Sequence, residues 1–410
     1  MGYIVGDVII ISTNVLFKGE VYMRLIHLSD LHIGKRVNEF SMLEDQEYIL
    51  KEILGIIDEE KPDGVIIAGD VYDKSVPGEE AVKLLDSFLT SLAKRKLQVY
   101  MISGNHDSAA KLAFASKLID LSGIHISPVY DKSRFAGNER KKLVPLELGD
   151  SDGFTVKIHM LPFVKPATVR AVFPEEADGI GDYTDACRVA IEHMEIDESE
   201  TNILVAHQFV TGAERSESEE NVGGLDNVDV SVFEPFDYVA LGHIHGPQKA
   251  GRETVRYCGT PLKYSLSEAT HTKSVTVIDI PENKKVDIRT VPLTPLHELR
   301  EIKGTFDELM DKKTYEGEAV DDYLYIVLTD EEDVPDALGK LRTVYPNIMK
   351  LRYDNTRTRT EQVIDDDVVL EGKSMIELFD ELYEKQNNQP MNDEQRAIML
   401  DVIGTVDKEV

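Results

Sequence analysis

Short apolar runs that end abruptly in polar residues alternate with amphipathic stretches over the first part of the chain. Runs of Val, Ile and Leu of this kind are typical of β-strands that are buried on both faces. The runs are RLIHLSD (24–30), DGVIIAGD (63–70), LQVYMISGN (97–105), TNILVAHQ (201–208) and FDYVALGH (236–243). Residues 44–60 and 79–95, between the first three runs, carry apolar residues at helical spacing. The alternation predicts an α/β domain, which the strand-like stretch 254–280 closes.

A different pattern follows His297, where short strand-like and helix-like segments alternate. The segments are REIKG (300–304), TFDELMD (305–311), YLYIVLTD (323–330), VPDALGKLRTVY (334–345) and IMKLRYD (348–354). Thr305 and Glu308 have the spacing of a capping box at the start of the first helix. These segments predict a small β-α-β-α-β unit, an α+β domain that is named the capping domain here.

Two short amphipathic helices are predicted beyond Glu371. Their apolar faces are formed by Ile376, Phe379 and Tyr383 in the first helix, and by Ile398, Met399 and Val402 in the second. Such faces either pack on the preceding domain or dock on a partner helix. Both alternatives remain open at this point.

The N-terminal segment 1–22 has an apolar run, but no Lys or Arg before Lys18 and no small-residue cleavage site. It therefore fits neither a signal peptide nor a membrane span, for which it is too short and interrupted. Lys18-Gly19-Glu20 is what a ribosome-binding site of the AAAGGAGA type encodes when it is read in frame. Our hypothesis is that translation starts at Met23 and that 1–22 is a non-native or disordered extension, which mass analysis of the natural N-terminus tests. The predicted boundaries are 1–22 for the extension, 23–296 for the α/β domain, 297–370 for the capping domain and 371–410 for a helical segment.

Composition and cysteine usage narrow the class of protein. An apolar share of 42% is ordinary for a chain with a well-buried core, and repeats and low-complexity tracts are absent from the sequence. Cys187 and Cys258 lie far apart without C-x-x-C spacing, which predicts buried thiols in a reducing compartment. We therefore expect a cytoplasmic protein that does not associate with a membrane.

Polar residues cluster at the end of each of the strand-like runs. The clusters are Asp30-Leu31-His32, Gly69-Asp70, Gly104-Asn105-His106-Asp107, Ala206-His207 and Gly242-His243-Ile244-His245. In open α/β sheets, ligands and catalytic groups gather at the carboxyl ends of the strands. Glycine directly before Asp70, Asn105 and His243 suits a sharp turn with a close backbone approach. The clusters, all at strand ends and in this order, predict one site.

The side chains of these clusters predict a centre for two metal ions. Without His106 and Asp107 they offer two carboxylates, one amide oxygen and four imidazoles. Mixed carboxylate and imidazole ligands suit Mn, Fe or Zn better than Ca or Mg. Seven ligands are too many for one ion, and Asp70 is the natural bridge between two. Two ions about 3.5–4 Å apart activate one water and clamp the attacking and leaving oxygens of a phosphate ester.

The motif series D-x-H, G-D-x-x-D, G-N-H-D, H and G-H-x-H resembles that of the calcineurin-like metallophosphoesterase superfamily. The resemblance implies a sandwich of two β-sheets flanked by helices. It also implies a first metal position formed by Asp30, His32, Asp70 and His245, and a second formed by Asp70, Asn105, His207 and His243. His106 then is not a ligand but protonates the leaving group or stabilises the pentacoordinate phosphorus, and Asp107 beside it orients it. Asp73 stands where several non-bacterial relatives carry a second mechanistic histidine, and its role stays open.

A narrower resemblance is to the SbcD family, the bacterial nuclease subunits that work with the SbcC ATPase. The segments that carry it are RLIHLSDLHIGK, GDVYDKSVPGEEA, QFVTGAERSESEENVGGLD and RYCGTPLKYSLSEA with the following KSV, within residues 23 to about 295. It implies a Mn²⁺-dependent DNA nuclease, with 3′-to-5′ exonuclease activity on duplex ends and endonuclease activity on single strands and hairpins. It also implies a place in DNA repair, recombination and replication. The C-terminal helices would dock at the base of the ATPase's coiled coil, in a heterotetramer that contains a homodimer of nuclease subunits.

The net charge of −31 argues against strong DNA binding by this chain, because affinity for DNA normally comes from Lys and Arg at the phosphates. We therefore expect weak DNA binding by the chain alone, with metal ions or a basic partner supplying the attraction. Two other functions remain open. One is another metallophosphoesterase, a phosphodiesterase or phosphatase acting on nucleotides or proteins, and the other is a catalytically inactive scaffold for the ATPase.

Overall fold

The computed structural model describes residues 22–135, 142–149, 153–219 and 226–356, together with 358, 376, 379, 380, 383, 391, 395, 396 and 398–400. The extension expected for 1–22 lies, apart from Tyr22, outside the described residues. The chain divides into two compact units, Met1–Glu298 and Leu299–Val410. Within the described ranges, no helix combines the length and apolar character that a membrane span requires.

The strands and helices predicted for the first unit are present. They are the strands Tyr22–Leu28, Gly64–Ala68, Gln98–Ile102, Thr201–His207 and Tyr238–Gly242, and the helices Leu43–Glu60 and Glu79–Lys94. The strands are β1 Tyr22–Leu28, β2 Arg36–Val37, β3 Phe40–Ser41, β4 Gly64–Ala68, β5 Gln98–Ile102, β6 Ile124–Ser127, β7 Leu146–Gly149, β8 Thr155–Leu161, β9 Thr201–His207, β10 Phe209–Val210, β11 Asn227–Val228, β12 Tyr238–Gly242, β13 Gln248–Ala250, β14 Arg252–Tyr257, β15 Ser274–Pro281, β16 Asp287–Pro292, β17 Leu299–Gly304, β18 Tyr323–Leu328 and β19 Ile348–Tyr353. The α-helices are α1 Leu43–Glu60, α2 Glu79–Lys94, α3 Ala109–Leu112, α4 Ser116–Asp120, α5 Pro166–Val172, α6 Tyr183–Glu192, α7 Phe306–Met310, α8 Lys312–Tyr315 and α9 Ala337–Leu341. Short 3₁₀ helices span Lys132–Phe135, Pro174–Gly179, Glu217–Glu219, Val230–Phe233 and Leu266–Glu268.

Two six-stranded sheets pack face to face in the first unit. The first sheet has the order β16-β15-β1-β4-β5-β6 and the second has the order β13-β14-β12-β9-β8-β7. β1, β4, β5 and β6 run parallel, as do β8, β9, β12 and β14. Facing side chains of the two sheets share one core cluster, which includes Leu25 and Tyr100 from the first and Ile203 and Ala240 from the second.

Helices cover the sandwich. Leu204 and Val239 of the second sheet point to its outer face, because side chains alternate along a strand and the neighbouring Ile203 and Ala240 point inward. On this outer face they share a core cluster with Val169 of α5 and Ala190 of α6. α1 and α2 each bury an apolar stripe, as their helical spacing predicts. The architecture implied by the resemblance, a two-sheet sandwich flanked by helices, is therefore confirmed. Both cysteines are free and buried, as predicted.

His27 of β1 is completely buried, and its Nδ1 lies 3.1 Å from the hydroxyl of Tyr238 in the opposite sheet. Burial lowers the pKa of His27 to about 3. The folded protein therefore binds fewer protons at this residue than the unfolded chain does between about pH 3 and about pH 6.5. Its contribution to stability is complete above the unfolded-state pKa and is lost as the pH falls toward the folded-state pKa.

We expect His27→Gln to flatten the acid side of the stability profile. Between about pH 7.5 and about pH 5, the wild-type chain should lose about 2 kcal/mol more of its unfolding free energy than the variant does. Urea unfolding at the two pH values, followed by circular dichroism, measures the difference. Equal losses in the two proteins would show that His27 is not buried in its neutral form.

The second unit is built on a three-stranded parallel sheet in the order β17-β18-β19. Parallel strands need crossover connections, which α7 with α8 and then α9 supply, as the β-α-β-α-β pattern predicts. Leu324 of the central strand shares the core of this unit with Leu309 and Leu341 of the helices. The side chains of Thr305 and Glu308 each accept the other's N–H, so the predicted capping box is confirmed.

The C-terminal positions that carry the predicted apolar faces are helical where they are described. Ile376, Phe379, Tyr383 and Ile398 are each helical. Phe379 is 39% exposed and Ile398 is 60% exposed. Val402 lies outside the described residues. Docking of these faces on a partner stays a prediction.

Candidate metal centre

The carboxyl ends of five strands bring the polar clusters together at one edge of the sandwich. The strands end at Leu28 (β1), Ala68 (β4), Ile102 (β5), His207 (β9) and Gly242 (β12). The carboxylate of Asp30 accepts the N–H of His243 with its two oxygens, at 3.0 and 3.1 Å. This contact joins the first sheet to the second, so the clusters that are far apart in sequence surround one buried space.

Four residues of the centre adopt the left-handed backbone region. Asp30, His32, Asp70 and His243 have φ values of 51°, 42°, 47° and 102°. Such conformations cost free energy in residues other than glycine and gather at functional sites. Main-chain bonds between neighbouring loops hold them, since Asp30 N–H donates to Gly69 O at 3.0 Å and His32 N–H donates to Asp70 O at 2.9 Å.

Two glycines make close approaches that leave no room for a side chain. A Cβ atom on Gly242 would lie 1.9 Å from the main-chain oxygen of Ala68. A Cβ atom on Gly104 would lie 2.1 Å from Oδ1 of Asp70. The close backbone approach predicted for these glycines is confirmed.

Asp30, His32 and His245 form a first group of possible metal ligands, with donor atoms within 4.8 Å of one another. Their side chains are buried, and the Nε2 atoms of His32 and His245 lie 3.2 Å apart. Asp70 Oδ2 lies 3.8 Å from the same His32 nitrogen. Two imidazole nitrogens that face each other at this distance need a proton or a cation between them. The donor set fits a divalent cation of the Mn, Fe or Zn type.

Asp70 and His207 form a second group of possible ligands together with Asp30, which the two groups share. His207 Nε2 lies 3.4 Å from Asp70 Oδ2 and 3.0 Å from Asn105 Oδ1, and His243 Nδ1 lies 3.0 Å from the same amide oxygen. The Nδ1 of His207 donates to the main-chain oxygen of Ala68 at 2.8 Å. That hydrogen bond fixes the ring and directs Nε2 at the centre, as is usual for histidines that bind metals.

Burial and mutual charge push the pKa values of these groups apart. Burial alone would raise the pKa of Asp70, but His207 and His32 hold it below its ordinary range. Burial raises the pKa of Asp30 to about 6. At His207 burial is outweighed by Asp70, which raises the pKa to about 9, whereas burial lowers the pKa of His243 to about 3. Cation binding at His207 therefore requires loss of the proton that it shares with Asp70.

His106 lies at the mouth of the centre, with 43% of its side chain exposed. Its main-chain N–H donates to Asp70 Oδ1 at 2.9 Å, and its ring Nδ1 lies 3.1 Å from the main-chain oxygen of Asp73. A carbonyl oxygen can only accept, so Nδ1 carries a proton. The other ring nitrogen, Nε2, lies 3.9 Å from Asp70 Oδ2. His106 thus reaches the centre from its open side.

The hydrogen bonds of Asp107, the residue expected to orient His106, come from main-chain groups. The Asp107 carboxylate accepts three main-chain N–H groups at 3.1, 2.9 and 2.9 Å, those of Val71, Tyr72 and Gly104. Both of its oxygens are therefore engaged by the loops that follow β4 and β5, and Asp73 holds the ring. Burial, followed by the charge of Asp70, raises the pKa of Asp107 to about 6. Asp107 positions the loop that carries His106.

Asp73, whose role the sequence left open, supports two histidines. Its Oδ1 accepts from Lys35 Nζ at 2.8 Å and lies 3.8 Å from His32 Nδ1. Asp73, His32 and His106 form a third group with donor atoms within 4.8 Å of one another. Because Lys35 pairs with Asp73 and His32 is shared with the first group, we assign no separate metal position to this cluster.

Sequence reasoning missed the polar residues that contact His245 from the side away from the centre. Ser218 Oγ lies 2.8 Å from His245 Nδ1, and Glu268 Oε1 lies 3.4 Å from it. Lys273 Nζ donates to Glu268 Oε2 at 2.7 Å in a buried ion pair. Although burial raises the pKa of Glu268, the hydrogen bond with His245 and the charge of Lys273 hold it below its ordinary range. A signal was available, because a polar run, SEATHTK (267–273), separates two strand-like segments.

The other histidines pair away from the centre or lie outside the ligand groups identified in the described ranges. The pairs are His27 with Tyr238, His125 with Asp120, His159 with Asn202, His193 with Glu176 and His297 with Asp45. These contacts are those of structural or surface residues.

Sequence comparison points to the same residues. The profile of the calcineurin-like phosphoesterases matches residues 23–247, and that of the Type 5 capsule protein repressor C-terminal domain matches residues 295–387. The chain is similar to the SbcD subunit of the SbcCD nuclease from Staphylococcus epidermidis, with 34% identity over 334 residues that cover 80% of this chain and 85% of that relative. It is similar to the same subunit from Staphylococcus saprophyticus, with 33% identity over 363 residues that cover 85% of this chain and 92% of that relative.

A solved structure, TT1561 of Thermus thermophilus, is similar with a TM-score of 0.35 and 10% identity, covering 66% of this chain and 99% of that chain. A similarity this weak adds no argument. The phosphoesterase profile, by contrast, spans more than half of the sequence and includes every cluster of the centre. Together with the ligand groups it supports a site for divalent metal ions. The chain belongs to the calcineurin-like phosphoesterases and, within them, to the SbcD family of nuclease subunits.

Proposed function

We propose that this chain is a Mn²⁺-dependent DNA nuclease that works with an SbcC-type ATPase in DNA repair, recombination and replication. The observation that carries the proposal is the position of Asp70, whose Oδ2 lies 3.8 Å from His32 Nε2 and 3.4 Å from His207 Nε2. One carboxylate oxygen between imidazoles of two ligand groups is what a bridge between two cations requires. The two staphylococcal relatives, which are named as subunits of the SbcCD nuclease, support DNA as the substrate.

The geometry supports two metal positions with Asp70 in common. The proposed ligands are Asp30, His32, Asp70 and His245 for the first position, and Asp70, Asn105, His207 and His243 for the second. Four imidazoles and an amide oxygen beside two carboxylates favour Mn²⁺ over Mg²⁺, which prefers oxygen ligands and retains its waters.

When bound, such ions supply an activated water and neutralise charge on the phosphate oxygens. The chain itself supplies the proton for the leaving group. The Nδ1–H of His106 is held by Asp73 O at 3.1 Å, so a second proton on Nε2 becomes the donor to the departing sugar oxygen. Asp107 keeps this histidine in place, because it accepts the N–H of Gly104 at the start of the same loop at 2.9 Å.

In this proposal the three parts of the chain have different functions. Residues 23–296 are the nuclease domain, 297–370 the capping domain and 371–410 the segment that docks on the ATPase. The net charge of −31 makes DNA binding by this chain alone weak, so the partner supplies much of the affinity. We propose a cytoplasmic heterotetramer in which two nuclease subunits pair with two ATPases.

Two alternatives make different predictions for simple assays. A phosphoesterase for nucleotides or phosphoproteins would hydrolyse phosphomonoesters far faster than DNA. An inactive scaffold would bind no divalent metal. The donor atoms arranged around Asp70 argue against this alternative, because they are suited to bind one.

Cleavage of a labelled single-stranded DNA circle by the purified chain tests the proposal. A circle has no ends, so nicking reports endonuclease activity directly. We expect nicking with Mn²⁺, less with Mg²⁺ and none with a chelator, and we expect His106→Ala to abolish it. Nicking by the variant at the wild-type rate would point to a contaminating nuclease.

Adding the SbcC-type ATPase and ATP to the same assay tests the partner. We expect the ATPase to stimulate cleavage of duplex ends and hairpins, and we expect Phe379→Asp to prevent this stimulation. Nicking of the circle by the Phe379→Asp chain alone should stay at the wild-type rate. No cleavage with or without the ATPase, while a simple phosphodiester is hydrolysed, would exclude DNA as the substrate.

A further inference from the structure

A chain of hydrogen bonds leads from His245 to a buried ion pair on the side away from the centre. His245 Nδ1 lies 2.8 Å from Ser218 Oγ, which in turn lies 2.7 Å from Glu268 Oε1. Glu268 is completely buried, and its Oε2 accepts from Lys273 Nζ at 2.7 Å. Lys273, which is 5% exposed, also donates to the main-chain oxygen of His245 at 2.9 Å.

The chemistry of these groups fixes which atom donates and which accepts in each of these hydrogen bonds. The carboxylate of Glu268, paired with the ammonium of Lys273, can only accept, so Ser218 must donate its single hydroxyl proton to it. The oxygen of Ser218 is then an acceptor toward its other two partners, Ser216 Oγ at 2.8 Å and His245, whose Nδ1 must carry the proton. The lone pair of the ring therefore lies on Nε2, the nitrogen 3.2 Å from His32 Nε2.

Lys273 stabilises this order of donors and acceptors, which requires a carboxylate at Glu268. An amide in place of the Glu268 carboxylate has one oxygen and one NH₂ group, and the ammonium of Lys273 would attract the oxygen and repel the NH₂ group. The NH₂ group would then face Ser218, donate to its oxygen and turn the hydroxyl proton toward His245. Nδ1 would become an acceptor, and the proton of the neutral ring would move to Nε2.

We propose that Ser218, Glu268 and Lys273 form a positioning relay that fixes the tautomer of His245 and thereby sets the affinity of the first metal position. The inference rests on the proposed function, in which His245 is a ligand of that position. The relay residues touch neither substrate nor metal in this arrangement, and they act through the orientation and the free lone pair of the imidazole. Groups that hold the second nitrogen of a metal-binding histidine commonly change metal affinity about 10–100-fold.

The relay also attaches a loop to the centre. Ser218 belongs to the 3₁₀ turn Glu217–Glu219, and the neighbouring Glu219 carboxylate accepts the main-chain N–H of His245. The same carboxylate accepts the N–H of Ser216 at 2.5 Å. The position of this turn and the lone pair of His245 are thus set by the same side chains, so displacement of the turn would weaken the first metal position.

Titration of the metal-free, full-length chain with Mn²⁺ by calorimetry tests the relay. We expect the wild-type chain to bind two ions, and Glu268→Gln to bind one of them about 10–100-fold more weakly while the other keeps its affinity. Glu268→Asp, which keeps an acceptor, should recover part of the loss. Glu268→Gln combined with Lys273→Met should also recover part of it, because the amide is then free to turn its oxygen toward Ser218.

The recovery by the double variant separates a relay from a merely structural ion pair, which a second substitution would not restore. Visible absorption of the Co²⁺-loaded proteins gives a second readout, with the spectrum of one ion changed in Glu268→Gln. Asp279→Asn is the matched control, since it breaks the partly buried pair with Arg24 (Nε to Oδ1 2.6 Å) in the first sheet. The control should keep both affinities.

Two outcomes are distinguishable. A folded Glu268→Gln that binds both ions with wild-type affinity would overturn the relay and leave the proposed nuclease intact. A wild-type chain that binds no divalent ion would overturn the metal centre itself, and the relay with it.

Discussion

We expect Asp70→Ala to lose both metal ions and to lower DNA cleavage at least about a thousand-fold. The effect is this large because one carboxylate oxygen lies near imidazoles of both ligand groups, 3.8 Å from His32 Nε2 and 3.4 Å from His207 Nε2. The other oxygen accepts the N–H of His106 at 2.9 Å, so the substitution also loosens the loop that carries the proton donor. Metal content after dialysis and the rate of circle nicking measure the two losses.

Asp45→Ala is the matched control for the removal of a buried aspartate. Asp45 is completely buried and its Oδ1 lies 3.0 Å from Nδ1 of His297, but it belongs to α1 and to none of the ligand groups found in the described ranges. The control should lose stability and keep two ions. Retention of both ions by Asp70→Ala would contradict a bridging role, and loss of one ion alone would make Asp70 a ligand of a single position.

The fold was predictable where burial and secondary structure impose the same pattern. The parallel strands β4 and β12 are buried on both faces, so their sequences are continuous apolar runs with clear ends. β8, by contrast, was not predicted, because its apolar Val156, Ile158 and Met160 alternate with polar residues and do not form a continuous run like those of the predicted strands. His159 is buried there only by virtue of Asn202, whose side-chain oxygen lies 3.0 Å from its Nε2. The burial of such a polar residue depends on a tertiary contact, which the sequence pattern does not show.

The candidate site was predictable in its residue types and less so in their roles. The ligand clusters are local motifs at strand ends, and the sequence identifies them without knowledge of the tertiary structure. The positive φ values of Asp30 and His243, and the three N–H groups at Asp107, depend on loops from different strands. The sequence shows Asp107 beside His106 but not that its carboxylate turns to the main chain behind the loop, and its role in orienting His106 stays a prediction.

His106→Ala should keep both metal ions and lose DNA cleavage by about 10²–10⁴-fold, the usual contribution of a general acid. The bond to Asp70 survives, because it comes from the main-chain N–H of residue 106. The side chain is 43% exposed, so its removal should barely change stability. Metal content and nicking rate are the measurements, and His125→Ala on the edge strand β6 is the control histidine that should change neither.

The chemistry of the leaving group decides between the two roles open to His106, protonation of the sugar oxygen and stabilisation of charge at phosphorus. A p-nitrophenyl phosphodiester releases a stable phenolate that needs no proton, whereas DNA releases a poor alkoxide. If Nε2 of His106 delivers a proton, the alanine variant should lose far less activity on the p-nitrophenyl ester than on DNA. An equal loss on both substrates would mean that the imidazolium acts on the charge of the phosphate. The hydrogen bond from Nδ1 to Asp73 O favours the first outcome, since it leaves Nε2 as the nitrogen that gains and releases the second proton.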